Sequence, residues 1–151
     1  MKKLISLVLI LSMALSLVAC GKKVTDTTYK IESNGVVMNI TLHAEGDVIK
    51  KMTQVSTLPL ESYNEDQFAL IEAALEESEK MYSEFDCVTY TTDKKDGVLT
   101  ETIIMDISKE DNLRKLIENK LLPVTNKDAK YLSLKATEKS YDSLGYTKVT
   151  E

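Results

Sequence analysis

Histidine occurs once, at His43, and arginine once, at Arg114. A Ser-His-Asp or Cys-His catalyst would have to be built on that single imidazole. A structural zinc site draws on about four protein ligands and a catalytic one on about three. One histidine with a cysteine does not reach that without carboxylates, so no metal or other cofactor is expected. A lone guanidinium leaves one position for bidentate binding of carboxylate or phosphate. Glycine is sparse, at five residues, and none form a phosphate-binding loop. Basic charge is in deficit as well, with 19 lysines and arginine against 24 acidic residues. Nucleic-acid binding, which draws most of its affinity from a basic surface, is therefore not expected.

Long hydrophobic runs are also missing, with one short exception. Leu4 to Val18 carries no charge and follows the positive start Met1-Lys2-Lys3. As a helix this run would measure about 22 Å at ~1.5 Å per residue. A hydrocarbon core is roughly 30 Å thick, so a permanent transmembrane helix is disfavoured. A positive start, a short apolar stretch and a small residue before the cut form the secretory signal pattern. The stretch closes on Leu17-Val18-Ala19-Cys20, which resembles a bacterial lipobox. That resemblance implies a diacylglyceryl thioether on Cys20, cleavage after Ala19, and a chain exported and anchored to the outer face of a bacterial membrane. Two or more acyl chains make such an anchor durable, at about 0.8 kcal/mol per buried methylene.

The chain accordingly divides into a signal peptide over 1–19, a lipidated tether over 20–27 and one globular domain over 28–151. Loss of Lys2 and Lys3 leaves 17 basic against 24 acidic residues, a net charge of −7. Gly21 to Thr27 spans at most about 25 Å when extended, so the domain is expected close to the bilayer. With Cys20 lipidated, Cys87 is the remaining cysteine and no internal disulfide can form.

Within the domain the hydrophobic pattern begins at period two. Tyr29 and Ile31 share one face of a first strand, and Asn34-Gly35 forms a hairpin turn. Val36, Met38, Ile40, Leu42 and Ala44 then alternate with polar residues that include His43. Glu45-Gly46-Asp47 turns into a strand over Val48 to Thr57, ended by Leu58-Pro59. Asn64 to Phe85 reads as a helix, with Asn64 and Gln67 as a capping box. Its apolar face holds Phe68, Ile71, Leu75 and Tyr82, while Glu72, Glu76 and Glu79 face water. A hairpin follows, Val88 to Thr92 and Val98 to Ile107, around a turn at Asp93 to Gly97. Ser108 is expected to cap a helix reaching Lys120, and Ser133 a last helix stopped by Gly145. The expected class is α+β: an antiparallel sheet of two hairpin units, about five strands, with two or three helices on one face.

Asn34-Gly35-Val36, Gly46-Asp47, Thr100-Glu101, Asp106, Ser108 and Leu144-Gly145-Tyr146, behind the lipobox, occur in an order that resembles the YehR-like family of small bacterial lipoproteins. The likeness spans nearly all of the chain after Cys20. It implies a compact α+β lipoprotein domain of uncharacterised function and brings no active-site residues with it.

The chemistry-bearing residues each have a plainer reading. His43 is read as an exposed strand residue, and Cys87 as a packed thiol at a helix-to-strand corner, out of phase with Val88 and Tyr90. Asp86 beside it would raise its pKa rather than activate it. Asp93 to Gly97 lacks the alternating ligands and distal glutamate of a calcium loop. The tyrosines are assigned to the core and its rim. Two functional readings remain: a lipid-anchored binding or interaction module that meets an envelope protein or small ligand, and a carboxylate-dependent enzyme acting on cell-envelope material.

Overall fold

The computed structural model describes residues 22–124 and 126–149. Three tight turns build most of it. Asn34-Gly35 joins β1 (Val24–Ser33) to β2 (Val36–Glu45), with φ of 52° and 80°. Positive φ at both central residues matches the twist of a right-handed hairpin, which is why Asn-Gly serves there. Asp96-Gly97 repeats the device, at 52° and 76°, between β4 (Val88–Lys95) and β5 (Val98–Asp106). The second turn is thus two residues, not five, and β4 runs on to Lys95 opposite Val98. Gly46-Asp47 connects β2 to β3 (Val48–Pro59), with Gly46 at φ +64°.

The sheet has the order β4-β5-β3-β2-β1-β7, antiparallel at every pairing, with β6 off its path against β3. It holds seven strands instead of about five. The two additions, β6 (Leu132–Ser133) and β7 (Thr147–Val149), are too short to show alternation in sequence. The first strand also begins at Val24, ahead of the expected Thr28, and pairs with Glu45.

One face of the sheet is covered. Tyr29, Ile40, Leu42, Ala44, Ile49, Ile103 and Met105 form a core with Leu113, Leu116 and Ile117 of α2 (Glu110–Glu118). At about 25 cal/mol per Å² of apolar surface removed from water, side chains such as Leu42 and Leu116, both fully buried, each contribute on the order of 2 kcal/mol. The opposite face carries Thr28, Thr41, Thr53, Thr100 and Thr102 across four neighbouring strands, with Thr28 and Thr41 hydroxyls 2.9 Å apart.

α1 (Glu65–Ser83) starts where expected. Asn64 accepts from the Gln67 backbone N–H at 2.9 Å, and the Asn64 N–H donates to the Gln67 side chain at 3.1 Å. Phe68, Ile71, Leu75 and Tyr82 of its apolar face are only half-buried, however, because α1 packs along the hairpin strand β4 and not over the sheet centre. The start of α2 differs too. Ser108 does not cap it; Lys109 occupies that position without a side-chain cap. The Ser108 hydroxyl and N–H instead donate to Asp106 Oδ1, at 2.6 and 2.9 Å. α2 ends at Glu118, short of Lys120. α3 (Leu134–Ser143) is capped by Ser133, whose hydroxyl accepts from the Ala136 N–H. It closes on Gly145 at φ +83°, and the Tyr146 ring stacks back on Tyr141 with centroids 4.7 Å apart.

Candidate functional site

A concave surface that combines polar and aromatic side chains lies between α1 and the β4–β5 hairpin. It is a cleft of about 410 Å³ lined by both elements. α1 contributes Phe68 and Leu75 together with Glu72, Glu76 and Glu79, spaced so that three carboxylates reach one edge. The hairpin contributes Tyr90, Thr92, Asp93, Lys94 and Leu99. The glutamates remain exposed but line this mouth, so the face read from sequence as merely solvated is one wall of a cleft.

The floor is fixed by aromatic contacts. Tyr82 stacks on Tyr90 with centroids 5.3 Å apart, and the Tyr90 hydroxyl donates to Glu101 at 2.9 Å. Burial, and then the bond to Glu101, pushes the Tyr90 phenol well above its ordinary range. Burial raises Tyr82 also. Both phenols therefore stay protonated near neutrality, as hydrogen-bond donors and not nucleophiles. The Lys94 ammonium lies 4.0 Å from the centre of the Phe68 ring, a cation–π contact inside the acidic mouth.

His43 takes a different setting on the open face of the sheet. Its Nδ1 lies 2.9 Å from Asp26 Oδ1 and its Nε2 3.0 Å from Thr53 Oγ1. The order carboxylate, imidazole, hydroxyl is that of a nucleophile relay. Yet β3 is paired on both sides at Thr53, so the backbone N–H groups beside that hydroxyl are engaged in the sheet ladders. The imidazole is held as a half-buried cross-strand link. Asp26 escaped notice in sequence because its position fell within the expected tether.

Cys87 precedes β4 and packs against the core. Burial is the main cause that raises its thiol pKa, which favours the thiol over the thiolate. Two carboxyls are held below the usual carboxylate range. Asp47 accepts from the Lys135 N–H and the Ser133 hydroxyl at the start of α3, and Asp106 accepts from Ser108. Of the described Asp and Glu residues, Glu101 and Glu138 are the ones not fully exposed. Glu101 is bonded to Tyr90 and Glu138 to Lys148. The landmark residues Gly46-Asp47, Glu101, Asp106, Ser108 and Gly145-Tyr146 thus serve as turns, caps and anchors. Leu17, Val18, Ala19 and Cys20 lie outside the described residues. Among the described residues no helix is long and apolar enough to cross a membrane.

Residues 25–147 match the family model described as "Protein of unknown function (DUF1307)". The chain belongs to that family. It is 28% identical to an uncharacterized lipoprotein of Listeria innocua, Lin0239, over 99% of this chain and 97% of that one. It is equally 28% identical to Lmo0207, an uncharacterized lipoprotein of Listeria monocytogenes, over 100% and 98%. The fold is shared with the NMR structure of the Escherichia coli YehR protein, with a TM-score of 0.66 at 17% identity over 86% of this chain and 94% of that one. A Streptococcus pneumoniae protein solved by NMR follows, with a TM-score of 0.58 at 14% identity over 87% and 88%. This DUF1307 chain is accordingly YehR-like, as its order of turns and caps implied, and its α+β class with helices over an antiparallel sheet is established.

Proposed function

We propose that this chain is an exported lipoprotein, held to the outer face of a bacterial membrane through acyl chains on Cys20, that binds a cationic ligand or partner segment in the cleft between α1 and β4–β5. The anchoring half is supported by Leu17-Val18-Ala19-Cys20 after a short apolar run, and by relatives that carry the name lipoprotein. The binding half is carried by one observation: Phe68 and Tyr90 lie beneath a rim of Glu72, Glu76, Glu79 and Asp93, with Lys94 already in cation–π contact there.

The competing reading, an enzyme that works through carboxylates alone, needs one carboxyl held protonated beside another that is ionised. The displaced carboxyls found, Asp47 and Asp106, are both lowered, and both are occupied by local hydrogen bonds. The binding reading is therefore preferred. An amide NMR titration of residues 22–151 with tetralysine tests it. Shifts concentrated at Phe68, Leu75, Tyr90 and Leu99, and weakened in Glu76→Lys, are expected. Unchanged spectra at millimolar peptide, or shifts unaffected by Glu76→Lys, would remove the cleft from the account.

A further inference from the structure

We infer that the end of the domain made by the β2–β3 turn and the start of α3 is the surface that meets the bilayer. This rests on lipid anchoring at Cys20. The Lys23 carbonyl accepts the Gly46 N–H at 2.8 Å, and Val24 opens β1 opposite Glu45. The Lys22 side chain covers the same turn, because a Cβ added to Gly46 would sit 3.9 Å from Lys22 Cβ. The chain is thus part of the domain from Lys22 onward. Three residue steps separate Cys20 from Lys23, which at full extension span at most about 11 Å. The anchor therefore lies within that reach of Lys23, which is itself hydrogen-bonded to the Gly46-Asp47 turn.

The opposite end is far away. β2 has ten residues, about 30 Å at ~3.4 Å each, and beyond it lie Asn34-Gly35 and Asp96-Gly97. The near end also carries apolar surface left uncovered. Val24 is 71% exposed, and Tyr131, which leads into β6 beside the first residues of β3, is 53% exposed. An amphipathic phenol suits the headgroup level of a bilayer. The charges there are mixed: Lys22, Lys23, Lys50 and Lys135 stand near Glu45 and Asp47, and Asp47 is occupied by Ser133 and the Lys135 N–H. Contact is therefore set by the short connection and by Val24 and Tyr131, not by net attraction to anionic lipid. In this pose the cleft residues Phe68, Asp93 and Lys94, near the Asp96-Gly97 end, are turned away from the membrane and toward whatever the envelope presents.

The test uses the full acylated chain in nanodiscs of phosphatidylcholine and phosphatidylglycerol that contain a nitroxide-headgroup lipid. Intact mass first reads whether Cys20 is acylated. Paramagnetic relaxation of the Gly46 amide should then exceed that of Gly35 and Gly97 more than about tenfold, given a separation on the order of 30 Å. Equal enhancement at the three glycines, or stronger enhancement at Gly35 and Gly97, in an acylated sample would overturn the orientation. A chain without acyl mass would overturn the anchoring reading and this inference with it.

Discussion

α2 and α3 end in the same way with different residues, and that difference is a measurable strain. After α3, the Tyr146 N–H donates to the Tyr141 carbonyl at 3.0 Å and the Gly145 N–H to Asp142 at 3.3 Å. After α2, the Leu121 N–H donates to Leu116 at 2.9 Å and the Lys120 N–H to Ile117 at 3.0 Å. Both are Schellman closures, which place the residue after the C-cap in the left-handed region. Gly145 adopts that region freely, whereas Lys120 is held there at φ +59°. A non-glycine residue in that region costs about 1–2 kcal/mol. Glycine returns part of the gain by adding roughly 0.5–1 kcal/mol of unfolded-state entropy. Lys120→Gly should therefore stabilise the domain by about 0.5–1 kcal/mol, since the lysine side chain is exposed. Gly145→Ala should cost a similar amount. Urea unfolding of residues 22–151 measures both, and in heat the Lys120→Gly midpoint should rise by about 2–3 °C. A neutral or destabilising Lys120→Gly, with Gly145→Ala tolerated, would refute the reasoning.

Other consequences are independent of that pair. Tyr90→Phe keeps the stack on Tyr82 but strips Glu101 of its donor, so a loss of about 1–1.5 kcal/mol is expected in urea unfolding; an unchanged midpoint would show the bond to be idle. Asp47 and Asp106 are lowered in the folded state, so their contribution is present above the unfolded carboxylate pKa of about 3.9 and is lost as pH falls through the lower folded value. Below about pH 4 the urea midpoint should drop, and Asp47→Asn should flatten that drop; equal slopes would count against the cap. Tyr29 and Tyr141 are pushed up to about 12, mainly by burial, so their stabilising effect is complete below about pH 10 and lost as pH rises toward 12. Absorbance titration at high pH should show these phenols lagging, and Tyr141→Phe should remove part of the late phase. Leu113→Ala, at a fully buried position that holds α2 to the sheet, should cost about 3–5 kcal/mol by calorimetry.

The legible parts of this chain were those where one residue type satisfies one backbone demand. Asn34-Gly35, Asn64 with Gln67, Ser133 and Gly145 announced turns and caps, and the alternation from Val36 to Ala44 announced the core face. Signals failed where a competing partner took the residue or where the element was short. Ser108 has the composition of a cap, but Asp106 two residues back takes its hydroxyl. Asp26 looked like tether because its meaning depends on His43, seventeen residues on. β6 and β7 owe their strand geometry to β3 and β1 and not to their own pattern. The cleft was half visible: the acidic spacing on α1 could be read, but not that α1 would leave its apolar face half-open beside Tyr90.

Mass spectrometry of the chain extracted from membranes tests the central claim most directly. Attachment through Cys20 predicts a first residue of Cys20, with the mass of at least two acyl chains on its thioether-linked glyceride, and release of Cys20→Ala from the membrane fraction. A chain that begins elsewhere, or begins at Cys20 with a free thiol, would contradict it.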